Sequence, residues 1–478
     1  MSQLPADCLN DIFEFLKDDI KTLYSCMLVN HLWCEVSVRI FWIDIRNYNT
    51  LIACLPNDSK EILYNNKIHI SVPTSKPPIF NYSLFCKVLV IDKVYYKIGK
   101  LLIDQKFISL QNIYNNKHHI AVQEICKMIM NQSSLKSLIV FEPKILTFIP
   151  FIHYPGAKDC LKNISEFRCN TNISSEFFCQ LSKICHNILL LDININNYIS
   201  NELIDLISIQ KNLKYVNITS KLIDTFPSLI TTNLPNTLFK LKLCSTNFVS
   251  LLFIIKFTNL QELELSFDYE ENFGDFERLK FAIFPKLQIL KIKRALPESG
   301  LLIKFLENNG KYLKELHLSE FDGYWGDNSL NLSIAKFCTN LKKLTTGFRY
   351  KELETLKIVF NSCKYLESIK MWCGGFLLSE KEALKAVVKY SHENFSELII
   401  YHVFTTQSRL FPEELESFFI SWTSRVPLKS ISLIVTTNHF YETSLDKYDE
   451  NMEVIRKYIQ LGVIEKFEVR DLNDDEYD

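Results

Sequence analysis

Fourteen cysteines and ten histidines give this 478-residue chain its scope for metal or nucleophilic chemistry, and their spacing argues against both. No CxxC pair occurs; the closest pairs are Cys179/Cys185, Cys26/Cys34 and Cys160/Cys169, none with a zinc-type Cys/His spacing. His118 and His119 are adjacent, and a helix would send their side chains in different directions. The 11 glycines form no P-loop, GxGxxG or GxSxG pattern, HExxH is absent, and no histidine stands where it would activate a cysteine. The chain is therefore expected to be no enzyme and to need neither metal nor cofactor. Residue types that bind rather than react are present. Lys291, Lys293 and Lys370 offer positive charge, while Trp372, Tyr401 and Trp325 are aromatic anchors of the kind that dominate interfaces.

Those residues sit in or beside a repeated six-residue pattern: apolar, two variable, apolar, one variable, apolar. It reads LKSLIV at Leu135, ILLLDI at Ile188, LKYVNI at Leu213, LFKLKL at Leu238, LQELEL at Leu260 and LQILKI at Leu287. It continues with LKELHL at Leu313, LKKLTT at Leu341 and LESIKM at Leu366, then weaker copies at Phe395, Leu428 and Ile464. From Ile188 to Leu366 the starts lie 22 to 28 residues apart, the period of a leucine-rich-repeat solenoid. Each run predicts a short strand with leucines inward and alternate residues outward, followed by a returning helix. One outward row then runs Asp192, Asn217, Lys242, Glu264, Lys291, His317, Thr345, Lys370, Ile399, and its neighbour carries Lys293, Trp372 and Tyr401. Cys185, Cys338 and Cys363 each precede the motif by three residues and read as buried packing. The expected fold class is α/β, a horseshoe with strands on the concave side and helices on the convex side.

The first 45 residues differ in kind. Leu9, Ile12, Phe13 and Leu16 fall on one face of a helix with Pro5 at its start. Asp18 and Asp19 offer an N-cap for a second helix carrying Leu23, Cys26 and Met27, and Asn30 a stop for it. A third helix follows with Trp33, Val36 and Ile40 on one side. Three short helices make a marginal core and are expected to need a partner or the solenoid. The organisation reads as a three-helix head over 1–45, a linker with degenerate first repeats near Phe85 and Leu110 over 46–134, the solenoid over 135–470, and an acidic tail over 471–478.

The ordered set Leu4-Pro5, Leu9, Ile12-Phe13, Leu16, Asp19-Ile20, Leu23, Val29, Trp33 and Phe41-Trp42 resembles the F-box. The repeats resemble the ribonuclease-inhibitor-like, cysteine-containing class, so the whole looks like an F-box/leucine-rich-repeat protein. His31 departs from that pattern, which more often has a basic residue before the Trp. The resemblance implies an all-α head that docks on a Skp-type adaptor and, through it, a cullin and a RING subunit. The repeats would then recruit an unknown protein substrate for ubiquitin transfer in an SCF-type ligase. It assigns adaptor binding to Leu4, Pro5, Leu9, Ile12, Phe13, Leu16 and Trp33, and leaves Lys291, Lys293, Lys370, Trp372, Tyr401 and Trp325 as substrate contacts. The rival reading is a leucine-rich-repeat scaffold or inhibitor acting outside a ligase.

Formal net charge is −1, so no general attraction to nucleic acid or anionic membrane is expected. The N-terminus lacks the basic-then-apolar layout of a secretory signal, and the longest apolar stretch, FVSLLFII at Phe248, is far too short to span a bilayer. Free thiols then point to a reducing compartment, cytoplasmic and/or nuclear.

Overall fold

A computed structural model describes residues 4–68, 78–104, 116–196, 198–220, 228–246, 250–320, 328–402, 410–427, 429–437 and 445–471. The chain divides into two compact units, Met1–Ile218 with Asn233–Pro235, and Thr219–Thr232 with Asn236–Asp478.

The first unit opens with helices α1 (Ala6–Glu14), α2 (Ile20–Met27) and α3 (His31–Phe41). Capping side chains set their starts. Asp19 accepts from the Thr22 N–H at 3.0 Å, and Asn30 from the Trp33 N–H at 2.9 Å. Asn30 therefore begins the third helix rather than ending the second, because its side-chain oxygen reaches the orphan donor three residues on. The apolar faces meet in one core of Leu9, Phe13, Leu23, Cys26, Val36 and Ile40, with the Phe13 and Trp33 rings edge to face at 5.1 Å.

Strands β1 (Val88–Val90), β2 (Ser137–Val140), β3 (Glu166–Asn170) and β4 (Leu190–Ile195) follow in chain order, with β5 (Tyr215–Ser220) at the boundary of the unit. Neighbours from β1 to β4 pair in parallel. β1 pairs directly with β2, Val88 opposite Ser137, and the described chain between them holds two helices, Ile91–Asp104 and Asn116–Gln132. The repeat expected at Leu110 falls within residues 105–115, outside the described part. β3 is a repeat that the pattern search passed over, since Phe167 and Cys169 replace leucine there; both are fully buried.

The second unit contains β6 (Lys240–Ser245), β7 (Glu262–Phe267), β8 (Ile289–Lys293), β9 (Glu315–Leu318) and β10 (Lys343–Gly347). It continues with β11 (Ser368–Cys373), β12 (Glu397–His402), β13 (Ile431–Thr437) and β14 (Ile464–Asp471). All pair in parallel with their chain neighbours. Most strands begin two residues after the first apolar position of the motif, and the inward leucines, such as Leu241, Leu263, Leu290 and Leu316, are at most 1% exposed. Strand, returning helix and strand in unbroken chain order make each unit an α/β leucine-rich-repeat solenoid.

A second device fixes the repeat spacing. The carbonyl just before most strands accepts two consecutive N–H groups of the next repeat. Gln261 takes those of Gln288 and Ile289 at 2.8 and 3.0 Å, and Gln288 takes those of Lys314 and Glu315 at the same distances. In the first unit Lys87 accepts from Lys136 and Ser137 in the same way, at 2.7 and 3.0 Å. The rung before it is Ile43, whose carbonyl accepts from Lys87 and Val88 at 2.9 and 3.1 Å. The end of the helical head thus serves as the first rung of the ladder. Lys93–Asp44 at 2.7 Å and Trp42 packed on Tyr82, ring centroids 4.4 Å apart, reinforce the join.

Candidate binding surfaces

The head carries the first surface. Its seven residues expected to meet an adaptor separate into two groups. Leu4, Pro5 and Ile12 are exposed, Leu4 by 52%. Leu9 and Phe13 are not offered to a partner: each is 1% exposed, because α1 turns that side onto α2 and α3. Leu16 and Trp33 are partly buried against the same core. In place of the buried pair, the head exposes residues the sequence pattern did not single out or placed in its interior. Phe15, just past the end of α1, is 91% exposed, and Leu28 (73%) and Val29 follow α2. Large apolar side chains left in solvent on so short a segment make the head a candidate interaction surface.

The second surface is the outward face of the sheet in the second unit. Lys242, Glu264, Lys291, His317, Thr345, Lys370 and Ile399 lie in one register row. Lys291 and Lys293 do not stand free there. Lys240 and Lys291 reach Glu262 at 2.9 and 3.5 Å, and Lys242 and Lys293 reach Glu264 at 3.2 and 3.1 Å. Two Lys–Glu–Lys triads therefore lie side by side across β6, β7 and β8, each with one excess positive charge. The Glu264 carboxylate is 2% exposed. Burial raises its pKa, but the ammonium groups of Lys293 and Lys242 reverse the effect and hold it below the usual carboxylate range. Two strands further along the row, His317 has Nδ1 2.9 Å from Thr345 Oγ1 and Nε2 3.6 Å from Glu315. Burial, with repulsion from Lys291 and Lys293, keeps its imidazole below the ordinary histidine pKa despite Glu315.

Trp372 and Tyr401 do not project outward as interface anchors. They occupy opposed positions in β11 and β12, ring centroids 5.7 Å apart, and are only 5% and 4% exposed. Stacked register places one bulky ring against the next, so each covers its neighbour. The Lys370 ammonium lies 5.9 Å from the Tyr401 ring centre, within cation–π range. Trp325 lies outside the described residues.

The histidine pair and the repeat cysteines are hydrogen-bonded within the fold. His118 and His119 both turn to Tyr95, Nε2 of the first 2.8 Å from its carbonyl and Nε2 of the second 3.1 Å from its hydroxyl. Cys185 and Cys363 are fully buried and donate to the carbonyls of Leu161 and Cys338 in the preceding repeats, at 3.2 and 3.5 Å. Burial pushes both thiols up to about 12. Among the described residues no cluster of three or more His, Cys, Asp or Glu could hold a metal, and no helix is long and apolar enough to cross a membrane.

No family model and no curated protein matches the chain. Solved structures similar to it include the leucine-rich-repeat-containing protein LegL7 of Legionella pneumophila, at 15% identity and TM-score 0.34 over 62% of this chain and 93% of that one. The yeast Rad7 and Elc1 complex matches at 13% identity and TM-score 0.36 over 73% and 88%, and a leucine-rich-repeat protein of Leptospira interrogans at 14% and 0.34 over 72% and 91%. At these values the fold assignment rests on the chain's own strand order and register, and nothing about partners follows from the likeness.

Proposed function

We propose that this chain is a non-enzymatic, substrate-recognition subunit of an SCF-type ubiquitin ligase, working in the cytoplasm or nucleus. The head binds a Skp-type adaptor and the repeats hold a protein substrate. The observation that carries the reading is the head itself. Its three helices fill a core of their own yet leave Leu4, Pro5, Ile12, Phe15, Leu28 and Val29 open to solvent. Water-exposed apolar surface of this kind is covered most cheaply by the apolar face of another helical protein. Catalysis would belong to other subunits, and this chain would contribute position, holding substrate close to them. The joint at Ile43 supports such a role, because a head hydrogen-bonded into the first rung of the ladder fixes its distance from the early repeats.

The test is recovery of a purified Skp-type adaptor by wild type and by a Leu4→Ala/Pro5→Ala variant. Both changed residues are exposed, so the fold should survive. Recovery is expected to fall at least tenfold; equal recovery removes the assignment.

A further inference from the structure

We infer that the outward sheet face of the second unit, over β6 to β11, is the docking surface for an unmodified acidic segment, rich in Asp and Glu, of a protein partner. The inference rests on the reading of the repeats as the substrate-holding part and specifies what they hold. The two Lys–Glu–Lys triads of β6 to β8 carry it, since in each two lysines flank one carboxylate and neither is more buried than it. Glu264 is 2% and Glu262 16% exposed, against 38% for Lys240, 25% for Lys242, 20% for Lys293 and 18% for Lys291. Solvent therefore meets the cations first. Beyond the triads Glu315 reaches Lys343 at 3.6 Å, and Lys370 continues the same register row between Thr345 and Ile399. Six lysines against three glutamates give these strands a net charge of +3 in a chain whose total is −1. The last strands reverse the sign, with Glu397, Glu465, Glu468 and Asp471 against Lys466 and Arg470, so the excess of positive charge is confined to β6 to β11.

The interleaved carboxylates favour a peptide over a nucleic acid. A polyphosphate would present charge at every step and meet Glu262, Glu264 and Glu315 repeatedly. An extended peptide can place its own carboxylates over the lysines and its N–H groups over the glutamates. The triads also hold the lysines in place beforehand, so little side-chain freedom is lost on binding.

The experiment uses the full chain and fluorescence anisotropy with labelled peptides of one length: Glu/Ser alternating, phosphoserine-substituted, neutral Gly/Ser and Lys/Ser. A single-stranded oligonucleotide is the fifth probe. The Glu/Ser peptide is expected to bind best among the unmodified peptides. Its affinity should fall about tenfold or more between about 0.05 and about 0.3 M salt. The Lys343→Gln/Lys370→Gln variant should weaken it about tenfold without a change in melting temperature, and Lys343 is half exposed, so the fold is not at risk. No binding of the Glu/Ser peptide, equal binding of the neutral or Lys/Ser peptide, or tighter binding of the oligonucleotide overturns the inference. Preference for phosphoserine by more than about tenfold overturns the choice of an unmodified segment. Adaptor recovery measured on the same preparations separates the two readings: peptide binding without adaptor binding sinks the ligase proposal, and the converse sinks this one.

Discussion

Phe13 and Phe15 stand two residues apart and have opposite fates. The first is locked edge to face with Trp33 in the head core; the second is 91% exposed beyond the helix end. Phe13→Ala is expected to cost about 3–5 kcal/mol through the cavity it leaves, and Phe15→Ala less than about 0.5 kcal/mol. Hydrogen exchange of the head amides in the two variants checks this. Helical spacing put Leu9, Ile12, Phe13 and Leu16 on one face, but spacing alone says nothing of which edge of that face meets α2 and α3. Ile12 was therefore legible as exposed no more than Leu9 was legible as buried, and Phe15 lay off the pattern altogether. The cysteines were more readable, because a small apolar side chain recurring at one repeat position has few places to go but the core. Cys8 is exposed, while Cys185, Cys338 and Cys363 are fully buried and their thiols are pushed up. Native alkylation followed by mass spectrometry is expected to label Cys8 first and those three only on unfolding. Early labelling of any of the three would break the packing assignment.

At the level of elements, the LxxLxL run was enough to locate nearly every strand, since alternation forces the leucines inward and the period sets the register. What it missed has physical reasons. The β3 repeat hides because Phe167 and Cys169 fill leucine positions. Trp372 and Tyr401 were misread as outward anchors because opposed large rings in adjacent repeats bury one another. A feature the periodicity gave no hint of is the polar side chain that closes some turns. Gln210, 1% exposed, accepts from the Ile188 N–H at 2.9 Å and donates to the Cys185 carbonyl at 2.8 Å. Asn309 does the same between the Phe284 N–H and the Ala282 carbonyl, at 2.7 and 2.9 Å. Gln210→Ala leaves both backbone groups of its turn unpaired and should cost at least about 1–3 kcal/mol. An unchanged urea midpoint would show that water replaces the side chain.

Across the whole molecule, one buried and one half-buried imidazole tie stability to pH. Burial lowers the pKa of His317 and of His119, so both bind protons less readily folded than unfolded. The unfolded chain then takes up more protons as the pH drops through about 6.5, and stability, full above that value, declines below it. Glu264, held low by its lysines, adds a later loss as the pH falls past about 4.3 toward its folded-state value. Urea midpoints should fall from pH 7.5 to 5.5 and again toward pH 3.5, and His317→Gln should flatten the first step; a midpoint that rises on acidification would reverse the sign. Of the two surfaces, the sequence located the head and the lysine row but could not show that Lys240, Lys242, Lys291, Lys293 and Lys343 reach Glu262, Glu264 and Glu315, since ion pairs across strands depend on register. The ligase reading stands or falls on the head. Isothermal titration calorimetry of the full chain with a purified Skp-type adaptor, at several temperatures, measures whether that surface is covered on binding. Binding with a negative heat-capacity change, abolished by Ile12→Asp/Phe15→Asp at unchanged melting temperature, is the expected result. No heat of binding with wild type, or equal affinity for the variant, would show that the exposed apolar head serves something else.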